Sequence, residues 1–571
     1  MSRKLVKTVA LSPAVQQEIN QREAEWQAQR RLEISATGRE AVIMQLIAEL
    51  ADPDHQLTGN RYQQIMRRYV VEHDLPWLSK EQVLTLYRDL CDEGWLAEDP
   101  AIFVALQTKP TRSQAGVTVV TVLTKPYPCP GKCIFCPTDV RMPKSYLPDE
   151  PGAMRAERHA FDPYAQTAAR IQALENLGHP ADKIELLILG GTWSSYRREY
   201  QEWFVKRCLE AMNGAEADTL EEAQEMNAQG ERRNVGLVVE TRPDHVSVEE
   251  LRWFRHLGVT KVQIGVQNLD DRILAMNQRG ETVADIRQAM RLLRLAGFKI
   301  HAHWMPNLLG ATPQSDLEDF ERLWSDPALR PDELKIYPCM LLENAELYAY
   351  WKRGEFQPYS EEELVALLVD CKRQVPRYVR INRVVRDIPT TNVVAGMKKA
   401  NLRQIAQQRM KAKGLRCQCI RCREIRRETV YEDELALRVT SYETDASNEY
   451  FLSFERADER IAAFLRLSLP RPDIAHPLPE LAGHAMIREV HVYGPAVPVG
   501  ESSQGEAQHI GLGGQLVNKA KEMARAAGFS RLAVISAIGT REYYSRHNFS
   551  LHGAYMTTQL NQVHKADGSI G

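Results

Sequence analysis

The sequence predicts an α/β protein built as a partial (βα) barrel, with a helical region before it and a compact α+β domain after it. Three observations carry this. Short β-branched runs alternate with helical patterns between residues 117 and 385. The preceding residues carry apolar positions at helical spacing, with weak strand signals. Beyond residue 430, short strands surround one clear helix that follows a glycine-rich turn. At 571 residues the chain also exceeds what a single hydrophobic core sustains. The expected division is 1–115 helical, 116–395 barrel, 396–430 basic linker and 431–571 α+β.

Helical patterns run from Gln16 to Leu50 and from Gln82 to Leu96. Val117–Thr124 reads as a buried parallel strand. Similar runs recur at Ile184–Leu189, Val235–Glu240, Lys261–Val266, Lys299–Trp304 and Leu334–Tyr337, with Val379–Val385 as a seventh candidate. Asp162–Leu177, Ser247–Leu257 and Val283–Ala296 have helical periodicity between them, so an active site is expected at the strands' C-terminal ends. Ala215–Arg233 reads as a polar insertion. The last domain should hold a helix from Gly514 to Ala527, a strand Arg531–Ile535 and a final helix-strand pair.

Composition is that of a globular protein, 44% hydrophobic and 26% charged. No apolar run reaches the roughly 18 residues a membrane span needs. The N-terminus has no apolar signal core, so a cytoplasmic location with no membrane partner is expected. Thiols stay reduced there, which makes the ten cysteines candidates for metal or cluster ligation. A net charge of −2 argues against a uniformly basic nucleic-acid binder. Met397–Glu428, however, holds eleven Lys or Arg against two Glu, and Lys372–Asp387 holds six against one Asp. Such a stripe is either a phosphate-binding groove or a solvated helical face.

The first chemical motif follows the first strand. Cys129, Cys133 and Cys136 have the spacing Cys-x3-Cys-x2-Cys. Three close thiolates suit three irons of a [4Fe-4S] cube, leaving the fourth iron open to chelate S-adenosylmethionine. A zinc knuckle is the alternative, but it needs a fourth ligand, and none sits nearby. The loop resembles that of the radical S-adenosylmethionine superfamily. Gly190 and Gly191, after the second strand, resemble that family's glycine pair. Glu240, Arg242 and Gln267 end the next two strands, where such barrels place cofactor contacts.

The second motif is Gln508-His-Ile-Gly511-Leu512-Gly513-Gly514 before a helix. It resembles the pyrophosphate loop of the GNAT acetyltransferase family, where backbone amides and a helix N-terminus meet the CoA phosphates. The strand Glu489-Val490-His491-Val492 supplies the main chain that pairs with pantetheine in that family. Tyr543 and Tyr544 fall where it keeps a tyrosine near the departing thiolate.

The two motifs in this order resemble the catalytic third subunit of the Elongator complex and its stand-alone prokaryotic relatives. Specific stretches include Lys109-Pro-Thr-Arg-Ser, Phe161-Asp-Pro-Tyr, Ile381–Pro389 and Gly539–Tyr544. The resemblance implies acetyl-CoA contacts at Lys183, Glu489–Val492, Leu512–Gly514 and Tyr544. The reacting groups it implies are Lys183, Tyr543 and Tyr544. It further implies addition of a carboxymethyl group from acetyl-CoA to C5 of the wobble uridine in a tRNA anticodon stem-loop. An electron donor is required, and a stand-alone enzyme or homodimer is expected. Cys417, Cys419 and Cys422 inside the basic stripe suggest a structural zinc with a fourth ligand from elsewhere. A protein lysine acetyltransferase with a structural cluster is the rival reading, and a tRNA-binding scaffold is a third.

Overall fold

The computed structural model describes residues 38–52, 59–107, 115–426, 428, 430–494 and 511–560. Helices Glu40–Ala51, Gly59–His73, Lys80–Asp92 and Pro100–Leu106 gather around their own apolar core, including Leu46, Leu50, Met66, Leu84 and Tyr87. Ser79 starts the third of these with a capping box closed by Gln82. Residues 16–37 of the first expected helical stretch, and Lys109–Ser113, lie outside the described residues.

The barrel is a sheet of seven parallel strands. These are β1 (Thr118–Leu123), β2 (Lys183–Leu189), β3 (Arg233–Thr241), β4 (Lys261–Gln267), β5 (Lys299–Trp304), β6 (Glu333–Ile336) and, after a short β7 (Leu341–Leu342), β8 (Arg380–Val384). Each barrel strand pairs with the next barrel strand in sequence, joined to it by a crossover connection, so the sheet is a half-barrel in simple sequential order. The pair β7 and β9 (Val393–Ala395) is separate and antiparallel.

Alternation along the strands divides two faces. Ile184, Leu186 and Ile188 of β2, Val262 and Ile264 of β4, and Ile300 and Trp304 of β5 lie in the core beneath the helices. The other face carries Glu185, Lys261, Gln263, Lys299, His301, His303, Glu333 and Lys335. Barrel interiors are ordinarily filled by branched apolar side chains. In this one the β4, β5 and β6 positions are polar, while β1, β2 and β3 add Val119, Leu187 and Val238 to the same face.

The segment expected to be a featureless polar insertion contains a helix, Leu220–Gln229. Its buried face mixes Leu220 and Ala223 with Gln224 and Asn227, and Asn227 bonds Asn213, the Arg232 carbonyl and the Asn234 amide. Apolar periodicity signals such a helix only weakly.

The C-terminal sheet runs β10 (Ala436–Glu443), β11 (Ser447–Glu455), β12 (Ile461–Pro470), β13 (His484–Val492), β14 (Arg531–Val534), then β16 (Tyr555–Gln559) and β15 (Ser550–His552) at the edge. β13 pairs with β14 only from His484 to Ile487, whereas on its other side it follows β12 as far as Val492. The sheet therefore splays open from Arg488 to Val492.

One apolar core runs without a break from the barrel into this domain. A fully buried ion cluster crosses the same boundary: Arg488 meets Asp332 just before β6 and Glu449 on β11. Both domains are thereby held as one body.

Candidate functional site

Two sites sit at opposite mouths of the half-barrel. The C-terminal mouth carries the three-cysteine loop, anchored by the Ile134 N–H to Asn277 O at 3.2 Å and the Leu347 N–H to Ile134 O at 2.8 Å. Ile134 is fully buried beneath it. Arg279 donates Nη1 to Cys133 Sγ at 3.5 Å and is fixed by Glu281 (2.6 Å) and the Gly265 carbonyl (2.6 Å). A hydrogen bond from Cys136 lowers the Cys133 thiol most; burial opposes, Arg279 and Arg242 assist, and it is held down at about 5.

Among the described residues, only Cys417, Cys419 and Cys422 bring all their sulfurs within 4.8 Å of one another. Cys129, Cys133 and Cys136 are spread more widely, as ligands that each take a different iron of one cube must be. Their residues fit the cluster.

Gly190 has φ +143°, and a Cβ there would come within 1.8 Å of Thr124 Oγ1. The close crossing of β1 and β2 thus requires glycine, independently of any ligand. Gly191, with φ +90°, continues the turn. Arg242 is locked by Asp244 (2.9 Å), the Arg279 carbonyl (2.9 Å) and Glu281 (3.1 Å). Its Nη1, and Oε1 of Gln267, are buried without a hydrogen-bond partner. Glu240 accepts from Tyr146 at 3.5 Å, and its burial raises its pKa. Unpaired buried polar atoms around one mouth are what a polar cofactor would satisfy.

The N-terminal mouth opens into a cavity of about 700 Å³ shared with the C-terminal domain. Lys183, Arg233, Lys299, Glu489, His491 and Tyr544 are among its lining. The splayed backbone of β13 forms one wall. Burial lowers the Lys183 pKa. Tyr544 is buried and edge-on to the half-exposed Tyr543 at 5.2 Å. Burial pushes Tyr543 up to about 12, so it stays a neutral phenol able to donate a proton. Glu489 is ion-paired to Lys299 and Arg466.

Gly511 precedes the helix Leu512–Ala526 in a left-handed conformation. A Cβ at Gly513 would lie 2.7 Å from Tyr543 Oη. Gln508, His509 and Ile510 lie outside the described residues.

The Cys417, Cys419 and Cys422 sulfurs face the buried Lys372 and the half-buried Arg403, and Gln407 donates to Cys422 Sγ at 3.5 Å. Among the described residues no fourth His, Cys, Asp or Glu joins this group. The chemistry of three convergent thiolates fits a zinc ion.

Much of the basic stripe faces inward. Arg380 pairs with Glu424 and Arg386 with Glu150 inside the fold, whereas Arg409 with Glu362 and Lys399 with Glu361 are paired at the surface. Arg403 donates to the Ile381 carbonyl. Lys398, Lys411 and Lys413 remain exposed. No described helix is long and apolar enough to cross a membrane.

Arg279, Tyr146, His303 and Lys335 belong to no motif that the sequence makes visible. For the last two the signal is polar residues at every second position of β4, β5 and β6, in strands otherwise read as buried.

The fold and the cysteine mouth define a radical S-adenosylmethionine protein: the profile of the Radical SAM superfamily matches residues 127–323 and that of the Radical SAM C-terminal domain matches 331–412. Over 478 residues the chain is 41% identical to a tRNA uridine(34) acetyltransferase of Methanocaldococcus infernus, covering 81% of this chain and 89% of that protein. It is 35% identical over 473 residues to human Elongator complex protein 3, covering 80% and 86%. A solved structure of the archaeal Methanocaldococcus infernus Elp3 with an N-terminal deletion superposes with a TM-score of 0.67 at 39% identity, covering 78% of this chain and all of that one. The chain belongs to the Elongator complex protein 3 family.

Proposed function

We propose that the protein modifies uridine 34 of tRNA, joining the acetyl methyl carbon of acetyl-CoA to C5 of the base so that a carboxymethyl group results. The observation that carries this reading is one rigid half-barrel with a cluster loop at one mouth and a CoA-sized cavity at the other. The name of its archaeal relative, a tRNA uridine(34) acetyltransferase, points to the same base.

Cys129, Cys133 and Cys136 would hold a [4Fe-4S] cluster. Gly190, Gly191, Glu240, Arg242 and Gln267 would hold S-adenosylmethionine. When bound, the pair supplies a hydrogen-abstracting 5′-deoxyadenosyl radical. The chain's own part is to position and to exclude water. Lys183 and Leu512–Gly514 face the CoA phosphates, and the splayed edge Glu489–Val492 takes pantetheine. Tyr544, buried as a neutral phenol and assisted by Tyr543, donates a proton to the leaving sulfur. Cys417, Cys419 and Cys422 bind zinc and brace the linker. The exposed Lys398, Lys411 and Lys413 meet phosphates of the anticodon stem-loop, alongside the N-terminal helices. The enzyme draws electrons from an external donor and acts alone or as a homodimer.

The test is anaerobic incubation of the cluster-loaded protein with tRNA, S-adenosylmethionine and acetyl-CoA labelled in its acetyl group. Label on tRNA that requires both cofactors supports the reading. Label that instead appears on protein lysines, independently of S-adenosylmethionine, overturns it in favour of a lysine acetyltransferase.

A further inference from the structure

The two mouths are separated by the height of the barrel, about 20 Å for strands of this length at roughly 3.3 Å per residue. The acetyl carbon must cross that distance if both sites serve one product. Along β4, β5 and β6 the interior between them carries a column of polar side chains.

At the cavity end Lys261 holds Glu185 at 2.6 Å and Glu333 at 3.3 Å, while Lys299 joins Glu333 at 3.2 Å. Asn382 donates to Glu333 at 2.7 Å, and His301 Nδ1 lies 3.3 Å from the same carboxylate. Above this layer Gln263 Oε1 accepts from Lys335 and from His303 Nε2, the latter at 2.8 Å. His303 Nδ1 then faces Glu240 at 3.6 Å, at the cluster mouth. Exposure falls from 24% at the Glu185 side chain to nothing at Gln263 and rises again to 23% at the Glu240 side chain.

Two features of this column are unexplained by packing. Both ring nitrogens of His301, Nε2 of Gln263 and Oδ1 of Asn382 are buried without hydrogen-bond partners. Such groups ordinarily meet water or a polar guest. Lys335 is a buried ammonium whose contacts are Gln263 and the face of Tyr337 at 5.8 Å. Among the described residues no carboxylate stands at ion-pair distance from it, and the Glu240 carboxylate, which its charge stabilises, faces it from farther off. The cations of the layer below touch Glu185, Glu333 and Glu489 directly, whereas Lys335 has no carboxylate in direct contact. A small anion entering the column would complete it.

We propose that the barrel interior is a passage for a two-carbon carboxylate, from the CoA cavity to the cluster mouth, with Gln263, His303 and Lys335 as its narrowest layer. The proposal rests on the function proposed above and fixes its order: the thioester is hydrolysed first. Water oxygen bonds to the acyl carbon, the C–S bond breaks, and acetate and CoA thiol leave with one proton released and no change of oxidation state. Acetate then pairs with Lys335 on its way through. His303, kept neutral by burial and by the charge of Lys335, does not compete for the anion.

The test compares full-length, cluster-loaded wild type with Lys335→Met, Lys335→Arg and Gln263→Leu, using methyl-¹³C acetyl-CoA, tRNA and S-adenosylmethionine without oxygen. Free CoA, free ¹³C-acetate and ¹³C in the nucleoside are measured, with thermal unfolding as a check on folding. Lys335→Met should release CoA at near the wild-type rate and spill acetate into solution. Its labelled nucleoside should fall by about tenfold or more, as for a buried anion deprived of its cation, and Lys335→Arg should restore it. Gln263→Leu should block in the same way. Folded Lys335→Met and Gln263→Leu variants that label tRNA as well as wild type overturn the passage while leaving the proposed function standing. A wild type that labels no tRNA removes the proposed function itself. Loss of CoA release together with nucleoside in both folded variants would also overturn the passage, because it would place the defect in the CoA cavity.

Discussion

The joint between the two domains gives the most quantitative prediction. Asp332 and Arg488 have no solvent exposure, and the aspartate also accepts from the Ile300 N–H at 2.9 Å and lies 3.6 Å from Arg466. Burial opposes ionisation of Asp332, but Arg488, Arg466 and Arg294 outweigh it and hold the carboxyl at about 2, below its ordinary 3.8. That depression contributes about 2–3 kcal/mol of stability at neutral pH. It is fully present above pH about 4 and is lost as pH falls through about 2. Replacing Asp332 with Asn removes this stabilisation and also strands a buried guanidinium, which typically costs about 3–5 kcal/mol. Glu449 still meets Arg488 at 2.9 Å, which places the loss near the lower end, about 3 kcal/mol. Urea unfolding at pH 7, followed by tryptophan fluorescence, should show that loss in Asp332→Asn and in Arg488→Met. The double variant should lose less than the sum of the two, and the Asp332→Asn deficit should shrink as the pH approaches 2. Single variants within about 0.5 kcal/mol of wild type would refute the reasoning.

Cys133→Ala should abolish iron-sulfur absorbance and 5′-deoxyadenosine formation while leaving CoA binding intact, as measured by spectroscopy and calorimetry. Gly513→Asp should weaken acetyl-CoA binding strongly in calorimetry, because the new side chain displaces Tyr543 and its charge opposes the phosphates. Cys419→Ser should release zinc, read by elemental analysis, and lower the unfolding temperature by leaving the buried Lys372 and the half-buried Arg403 without the thiolate charge they face. Changing Lys398, Lys411 and Lys413 together to Glu should weaken all tRNAs alike. The slope of log affinity on log salt should become shallower by about 0.7–0.9 for each phosphate no longer neutralised.

Sequence patterns located the barrel strands to within a residue or two, because β-branched runs between glycine and polar turns are a local signal. Val379–Val385 is β8, shortened only at its ends. The helix Leu220–Gln229 escaped because Gln224 and Asn227 share its buried face with Leu220 and Ala223, which dilutes the apolar periodicity. The basic stripe was legible as charge but not as geometry. Arg380 and Arg386 find Glu424 and Glu150 across the fold, and the distance in sequence to Glu150 is far beyond any helical spacing. Likewise the cysteine loop and the glycine-rich turn each stood out, whereas the path between them did not. It is built from single residues on several strands, and only their shared register makes them a column.

In the proposed reaction the cluster mouth and the CoA cavity act on one carbon atom. Acetyl-CoA carrying three deuteriums on its methyl group tests this most directly, with tRNA and S-adenosylmethionine under anaerobic conditions. One deuterium is expected in the 5′-deoxyadenosine and two in the carboxymethyl group on uridine 34. 5′-Deoxyadenosine formed at the same rate but free of deuterium would contradict the claim.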